Sequence, residues 1–211
     1  MVTPILPLSP ARLIIFLLFI QLIPPMIVVG IGNVLGVRTH DLTPTHSIID
    51  PYGKIDTSAG LSLQISGGGA KFLQFIKDEL MPYIEKKYKP APYKIFSGHS
   101  FGGLMTFYCL TKHPDMFNAY ISVSPALWWD NKIHLKVATK NLRNTDYRNK
   151  LFFFQRCRWR GDFPSGCSVS WFLAWERKYS GIKIQVCILH WRITRFWNSK
   201  SLIWCFAIHL S

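Results

Sequence analysis

The sequence predicts an α/β fold, and three observations carry it. A β-branched apolar run, Met26 to Ile31, ends at Gly32 and reads as a strand buried on both faces, as in a parallel sheet. Beyond it, an amphipathic helical pattern, a short strand, a second helix and a second strand follow in succession. That order implies parallel strands covered by helices. The chain has 211 residues, of which 49% are hydrophobic and 17% charged, so it has the material for one sizeable core and is not disordered.

The elements follow in order. Residues 1–25 hold an apolar run from Leu13 to Ile23, broken by Gln21. It is shorter than the ~20 residues of a bilayer-spanning helix. It also lacks the flanks of a well-formed signal peptide, because only Arg12 precedes it and Pro24-Pro25 follow. No integral membrane segment is expected. Residues 32–70 show no sustained period and read as a long irregular loop, of the kind that tends to carry function. Gly67-Gly68-Gly69 reads as the flexible end of that loop. It lacks the Lys-Ser/Thr that would make it a phosphate cradle.

From Ala70 to Tyr88, Phe72, Phe75, Ile76, Leu80, Tyr83 and Ile84 recur at helical spacing, with Lys71, Lys77, Asp78, Glu85 and Lys86 opposite. Pro82 should kink or split this helix, and Pro90 and Pro92 end it. Residues 93–97 predict a strand, Gly102 to Thr111 a helix, and Ala119 to Val123 a further strand. Asp115 reads as a helix end and Asp130 as an N-cap.

The chemistry-bearing motif is Gly98-His99-Ser100-Phe101-Gly102-Gly103, a G-x-S-x-G with a strand before it and a helix after it. A serine on so sharp a turn presents Oγ at the carboxyl edge of the sheet. The glycines at 98, 102 and 103 are needed because side chains there would collide with strand and helix. Ser100 is the candidate nucleophile. The backbone N–H of Phe101, aided by the helix N-terminus, is half of an oxyanion hole. His99 is too close along the turn to be the base and reads as a packing residue.

Arg38, His46, Trp128 and Trp129 are candidates for a substrate pocket. For His46 a plain surface role is the stronger alternative, and for the tryptophan pair core or rim packing is an equal one.

Five blocks in order resemble a known family: MIVVGI, RTHDLTPTH (38–46), GGGAKFLQFIKDELMPYIEKKY (67–88), FSGHSFGG (96–103) and HPDMFNAYISVSPALWWDN (113–131). They look like the esterases related to enterobactin and salmochelin esterases, within the α/β-hydrolases. The similarity spans about residues 20–150. It implies an α/β-hydrolase fold with a mostly parallel sheet and flanking helices, here incomplete at both ends. It further implies a serine hydrolase of small carboxylic esters with Ser100 as nucleophile, no organic cofactor and no metal. The family's acid and histidine segments are not recognisable in this chain.

The last part of the chain is unlike the rest. Residues 151–211 hold 9 of the 25 Lys/Arg but only 2 of the 11 Asp/Glu, with six of eight Trp and four of five Cys. The sequence therefore divides into an N-terminal apolar segment (1–25), a hydrolase core (26–154) and a basic Trp- and Cys-rich tail (155–211). Codons compatible with Trp191–Thr194, read one base earlier, spell Glu-Asp-His, the family's missing histidine motif. A frame-shifted tail that packs poorly is the expectation.

Two other readings compete with ester hydrolysis. One is acyl transfer on the same fold. The other is a non-enzymatic interaction protein that uses the net charge of +14 and the Arg/Trp tail. No nucleic-acid-binding motif is present, so no nucleic-acid partner is expected.

Overall fold

The computed structural model describes residues 26–34, 36–56, 63–141, 147, 149–157, 182–189 and 208–209. The apolar segment 1–25 and most of the basic tail lie outside the described residues.

Four parallel strands make the central sheet: β2 (Ile95–His99), β3 (Ala119–Val123), β4 (Lys150–Cys157) and β5 (Ile182–Leu189), in that spatial order. Ile95 pairs with Ala119, Ala119 with Leu151, and Lys150 with Ile182, so the carboxyl ends of the strands share one edge. β2 begins two residues later than the sequence suggests, after Lys94 N–H has bonded Asn118 Oδ1 at 2.7 Å.

The strand expected at Met26 to Ile31 is corrected. Only Met26–Ile27 (β1) is strand, and it pairs antiparallel with Ile208–His209 (β6), apart from the parallel sheet. The apolar run does its expected burial, since Ile27, Val29 and Ile31 pack on the core. Burial does not require a ladder, and a run of apolar residues cannot specify its hydrogen-bonding partner.

Two segments of the tail beyond β4 are described, Ile182–Leu189 and Ile208–His209. Ile182–Leu189 is in parallel register with β4 at all eight positions.

The predicted amphipathic helix forms with an unusual middle. α2 (Gly69–Phe75) leads into a π-helical turn, Ile76–Leu80, and then into α3 (Met81–Tyr88). Pro82 lacks the N–H that the carbonyl of Asp78 would accept, and its ring crowds that carbonyl. The wider turn accommodates this, with Met81 N–H bonding Ile76 O five residues back. The helix therefore bulges at Pro82 and continues. It ends at Lys89, in the left-handed region at φ 45°, with its N–H on Glu85 O.

α4 (Phe101–Lys112) is apolar nearly all round and lies against the sheet, with Leu104, Met105, Phe107, Cys109 and Leu110 fully buried. Phe96 and Phe117 stack with centroids 4.6 Å apart. Tyr120, also fully buried, donates its hydroxyl to the carbonyls of His113 and Pro114. These two carbonyls close the end of α4, where a 3-10 turn, Pro114–Met116, holds Asp115.

The loop between β1 and α2 is more structured than its sequence suggests. It contains a five-residue helix, α1 (Arg38–Leu42). Gly67-Gly68-Gly69 is not a flexible end. Gly67 N–H donates to Thr43 Oγ1, Gly68 N–H to His40 O, and Gly69 N–H to Thr43 O. A Cβ on Gly68 would lie 2.1 Å from the His40 ring. The triplet is glycine because it docks on α1, and its amides are spent there.

α5 (Trp129–Asn141) starts with Asp130, Asn131 and Lys132 all at positive φ. Asp130 is therefore not an N-cap, because an N-cap takes extended φ/ψ.

His134 on α5 is 5% exposed, with Nε2 3.4 Å from Thr45 Oγ1 and its ring edge-on to Tyr108 at 5.7 Å. Burial pushes its pKa down to about 4; Asp130 opposes that shift and Lys112 adds to it. The unfolded chain binds the proton near pH 6.5, the folded chain only near 4. Stability is therefore complete above pH 6.5 and falls as pH drops toward 4, by about 3 kcal/mol. Urea midpoints at pH 7.5 and 4.5 should show this loss, and His134→Gln should shrink the pH difference while lowering the pH 7.5 midpoint.

Candidate active site

Strand β2 delivers the chain to Ser100 at the carboxyl edge of the sheet, and α4 leaves at once. The reversal in direction is accomplished in one residue. Ser100 sits at φ 59° and ψ −117°, a region that non-glycine residues occupy at a cost of ~1–3 kcal/mol. The turn is clamped from the end of β3: Ser100 N–H donates to Val123 O at 3.0 Å and Ala126 N–H to Ser100 O at 3.1 Å. These bonds hold the strained residue, and the sequence did not reveal them. The signal was the Ser124-Pro125 turn beside the elbow.

The glycines have separate reasons. A Cβ on Gly98 would lie 2.4 Å from the carbonyl carbon and oxygen of Gly102, because strand and helix backbones touch there. A Cβ on Gly103 would approach Pro125 Cα and Val123 O at 3.0 Å. Gly102 is buried and supplies the backbone that Gly98 faces, and its carbonyl also accepts from Thr106 Oγ1 at 2.9 Å. Ser122 Oγ likewise donates to Gly103 O.

Phe101 opens α4. Its N–H has no hydrogen bond among the described residues and lies at the positive end of the helix dipole. Its ring is the centre of an aromatic cluster: Trp129 meets it edge-on at 5.2 Å, Trp128 at 5.9 Å, and the Arg38 guanidinium lies 5.5 Å above it.

Arg38, Trp128 and Trp129 are thus brought together beside Ser100. Trp129 is fully buried and ties the cluster to the preceding loop by donating Nε1–H to Thr45 O at 3.1 Å. Trp128 is half-buried and is the tryptophan a ligand can reach. His46 is exposed and is held by Ser66, whose Oγ lies 3.2 Å from Nδ1. No hydrogen bond or ring contact among the described residues joins it to Ser100, Arg38 or the tryptophans.

The electrostatics favour negative charge. Arg38 Nε is buried and has no hydrogen-bond partner among the described residues. Burial lowers its pKa, yet a guanidinium remains charged in proteins. His99 has its pKa lowered by burial first and by the Arg38 charge second, so it is neutral. Among the described residues no side chain hydrogen-bonds Ser100 Oγ. None form a cluster of three His, Cys, Asp or Glu suited to a metal, and no helix is long and apolar enough to cross a membrane.

The contact at Gly98 yields a graded test. Gly98→Ala places a methyl inside backbone, which cannot move away, and should cost at least ~3 kcal/mol in urea denaturation. Gly103→Ala meets its neighbours at 3.0 Å and should cost about 1 kcal/mol. Equal costs would mean the two backbones do not touch at Gly98.

Comparison with known proteins places this geometry. The family model named Esterase, described as "Putative esterase", matches residues 38–151. The chain is 33% identical over 106 residues to a siderophore enterobactin esterase of Emericella nidulans, covering 49% of this chain and 34% of that protein. It is 38% identical over 71 residues to the ferri-bacillibactin esterase BesA of Bacillus subtilis, covering 33% of this chain and 25% of that one. The chain thus spans about a third of the first relative and a quarter of the second. An IroE-like serine hydrolase from Shewanella oneidensis superposes with a TM-score of 0.61 at 28% identity, over 72% of this chain and 50% of that one. The BES protein from Bacillus cereus shares the fold at a TM-score of 0.56 and 24% identity, over 73% of this chain and 58% of that one. A parallel sheet with flanking helices, a serine elbow and a family match over more than half its length make this chain a member of the esterase family of α/β-hydrolases.

Proposed function

We propose that the chain is built to cleave small carboxylic esters through an acyl-enzyme on Ser100. The observation that carries this reading is Ser100 itself, held at φ 59° between a parallel strand and a buried helix. A strained conformation clamped by two backbone hydrogen bonds is retained where it presents a reacting atom.

The chemistry follows from the placement. Ser100 Oγ attacks the ester carbonyl carbon and its proton passes to a base. The carbonyl oxygen becomes an oxyanion, which accepts from Phe101 N–H at the start of α4. The intermediate expels the alcohol, and water then releases the acid from Ser100. The base is the part the described residues do not supply, since no imidazole among them bonds Ser100 Oγ. The names of the relatives point to siderophore esters as the substrate class. Arg38 suits an ester that carries negative charge near its acyl group, because the buried Nε gains an acceptor when such a group binds. Trp128 offers an apolar face for an aryl part.

The full chain should hydrolyse p-nitrophenyl acetate slowly, because a serine without a bonded imidazole is a weak nucleophile. Ser100→Ala should take the rate to the buffer background. A Ser100→Ala variant as active as the parent overturns the assignment, and rapid Ser100-dependent turnover shows that a base reaches Oγ from outside the described residues.

Arg38→Met should raise KM for a carboxylate-bearing aryl ester about tenfold or more, equivalent to ~1.4 kcal/mol, and leave KM for the neutral acetate nearly unchanged. Equal effects on the two substrates would make Arg38 a packing residue.

A further inference from the structure

A cavity of about 400 Å³ lies at the end of the fold away from Ser100. Its lining includes Lys94, which precedes β2, and His113 to Met116, which follow α4. α4 has 12 residues, so these groups lie ~18 Å along the helix from the elbow. The floor is apolar, with Met81 and Pro114 buried and Met116 half-buried. Tyr120 fixes that floor from beneath through its bonds to the carbonyls of His113 and Pro114.

The charged lining is uneven. Lys77, Glu85, Lys94, Lys112, His113 and Asp115 face the cavity. Glu85 is already ion-paired with Lys94. Among the described residues no ion pair holds Lys77 or Lys112, and Asp115 is one carboxylate against these two ammonium groups. Both lysines act on the same imidazole: the pKa of His113 is lowered by burial first, then by Lys77 and Lys112. Lys77 is presented by the π-helical turn, and such turns occur frequently at functional sites.

We infer that this cavity is a second binding site, for a small organic anion whose carboxylate sits between Lys77, Lys112 and His113 and whose apolar body rests on Met81, Pro114 and Met116. Three segments distant in sequence converge on it, so the site is preformed. A bound carboxylate relieves the repulsion felt by His113 and accepts a hydrogen bond from its protonated ring. This site does not depend on the role of Ser100.

The test follows the His113 ring resonance by NMR in the full chain during titration with sodium benzoate, the resonance being assigned with His113→Gln. Benzoate should shift it saturably and raise the pKa of His113. Lys77→Met combined with Lys112→Met, both at exposed positions, should weaken binding about tenfold or more. Benzyl alcohol, which has the same body without the charge, should produce no saturable shift. Arg38→Met should leave the response intact, which separates this site from the elbow. No saturable shift, an equal response to benzyl alcohol, an unweakened double variant, or a response lost with Arg38→Met would overturn the proposal. Inorganic phosphate binding as tightly as benzoate would overturn the part assigned to the apolar floor.

Discussion

The contact between two backbones at Gly98 and Gly102 is the constraint on which the site depends. β2 and α4 approach so closely there that not even a methyl group fits between them. With the helix so near the strand, the chain has one residue in which to turn, and Ser100 must take a positive φ. The same closeness brings Gly103 against Pro125 and sets the end of β3 beside the elbow, where Val123 O and Ala126 N–H hold Ser100 in place. The buried core of α4 supplies the counterforce. Leu104, Met105, Phe107 and Leu110 are all removed from water, each contributing roughly 1.5–3 kcal/mol, so the strain at one residue is small beside the packing that imposes it.

The cluster on Phe101 extends that constraint into the preceding loop. Trp129 reaches Thr45 O from one side, and Arg38 covers the Phe101 ring from another. Thr43 in turn binds Gly67 and Gly69, so the glycine triplet that starts α2 is anchored to the segment that carries Arg38. A chain of contacts therefore runs from the elbow through α1 to α2. Arg38 is placed beside Ser100 by packing and aromatic contact; among the described residues no carboxylate holds it, and its Nε–H is an unfilled donor.

What was legible in the sequence was what local pattern encodes. Ala119–Val123 is the strand the sequence predicts, α4 differs from its predicted bounds by one residue at each end, and G-x-S-x-G places Ser100 at a strand–helix turn. What was not legible depends on partners distant in sequence. Met26 to Ile31 is apolar enough for a central strand, yet only two residues pair, and with Ile208–His209. α1 is five residues long, too short to show a period. The triplet at 67–69 reads as flexible from sequence because Thr43, its partner, lies 24 residues away from Gly67. Ile182–Leu189 carries a strand signal in the alternation of Ile182, Ile184, Val186 and Ile188, but the basic, Trp-rich composition around it masks that pattern.

The field at Ser100 has one sign from several sources. The N-terminus of α4 points at the elbow with the positive end of its dipole. Arg38 adds a full charge that burial leaves weakly screened. His99, which precedes Ser100, adds no third cation, because burial first and the Arg38 charge second lower its pKa. Without a bound anion this arrangement is costly, since a buried Nε goes unbonded and a helix N-terminus is left uncompensated. Negative charge that develops above Ser100 removes both costs at once. The polar groups around the elbow therefore favour negative charge above Ser100, and that preference is what the proposed ester chemistry draws on.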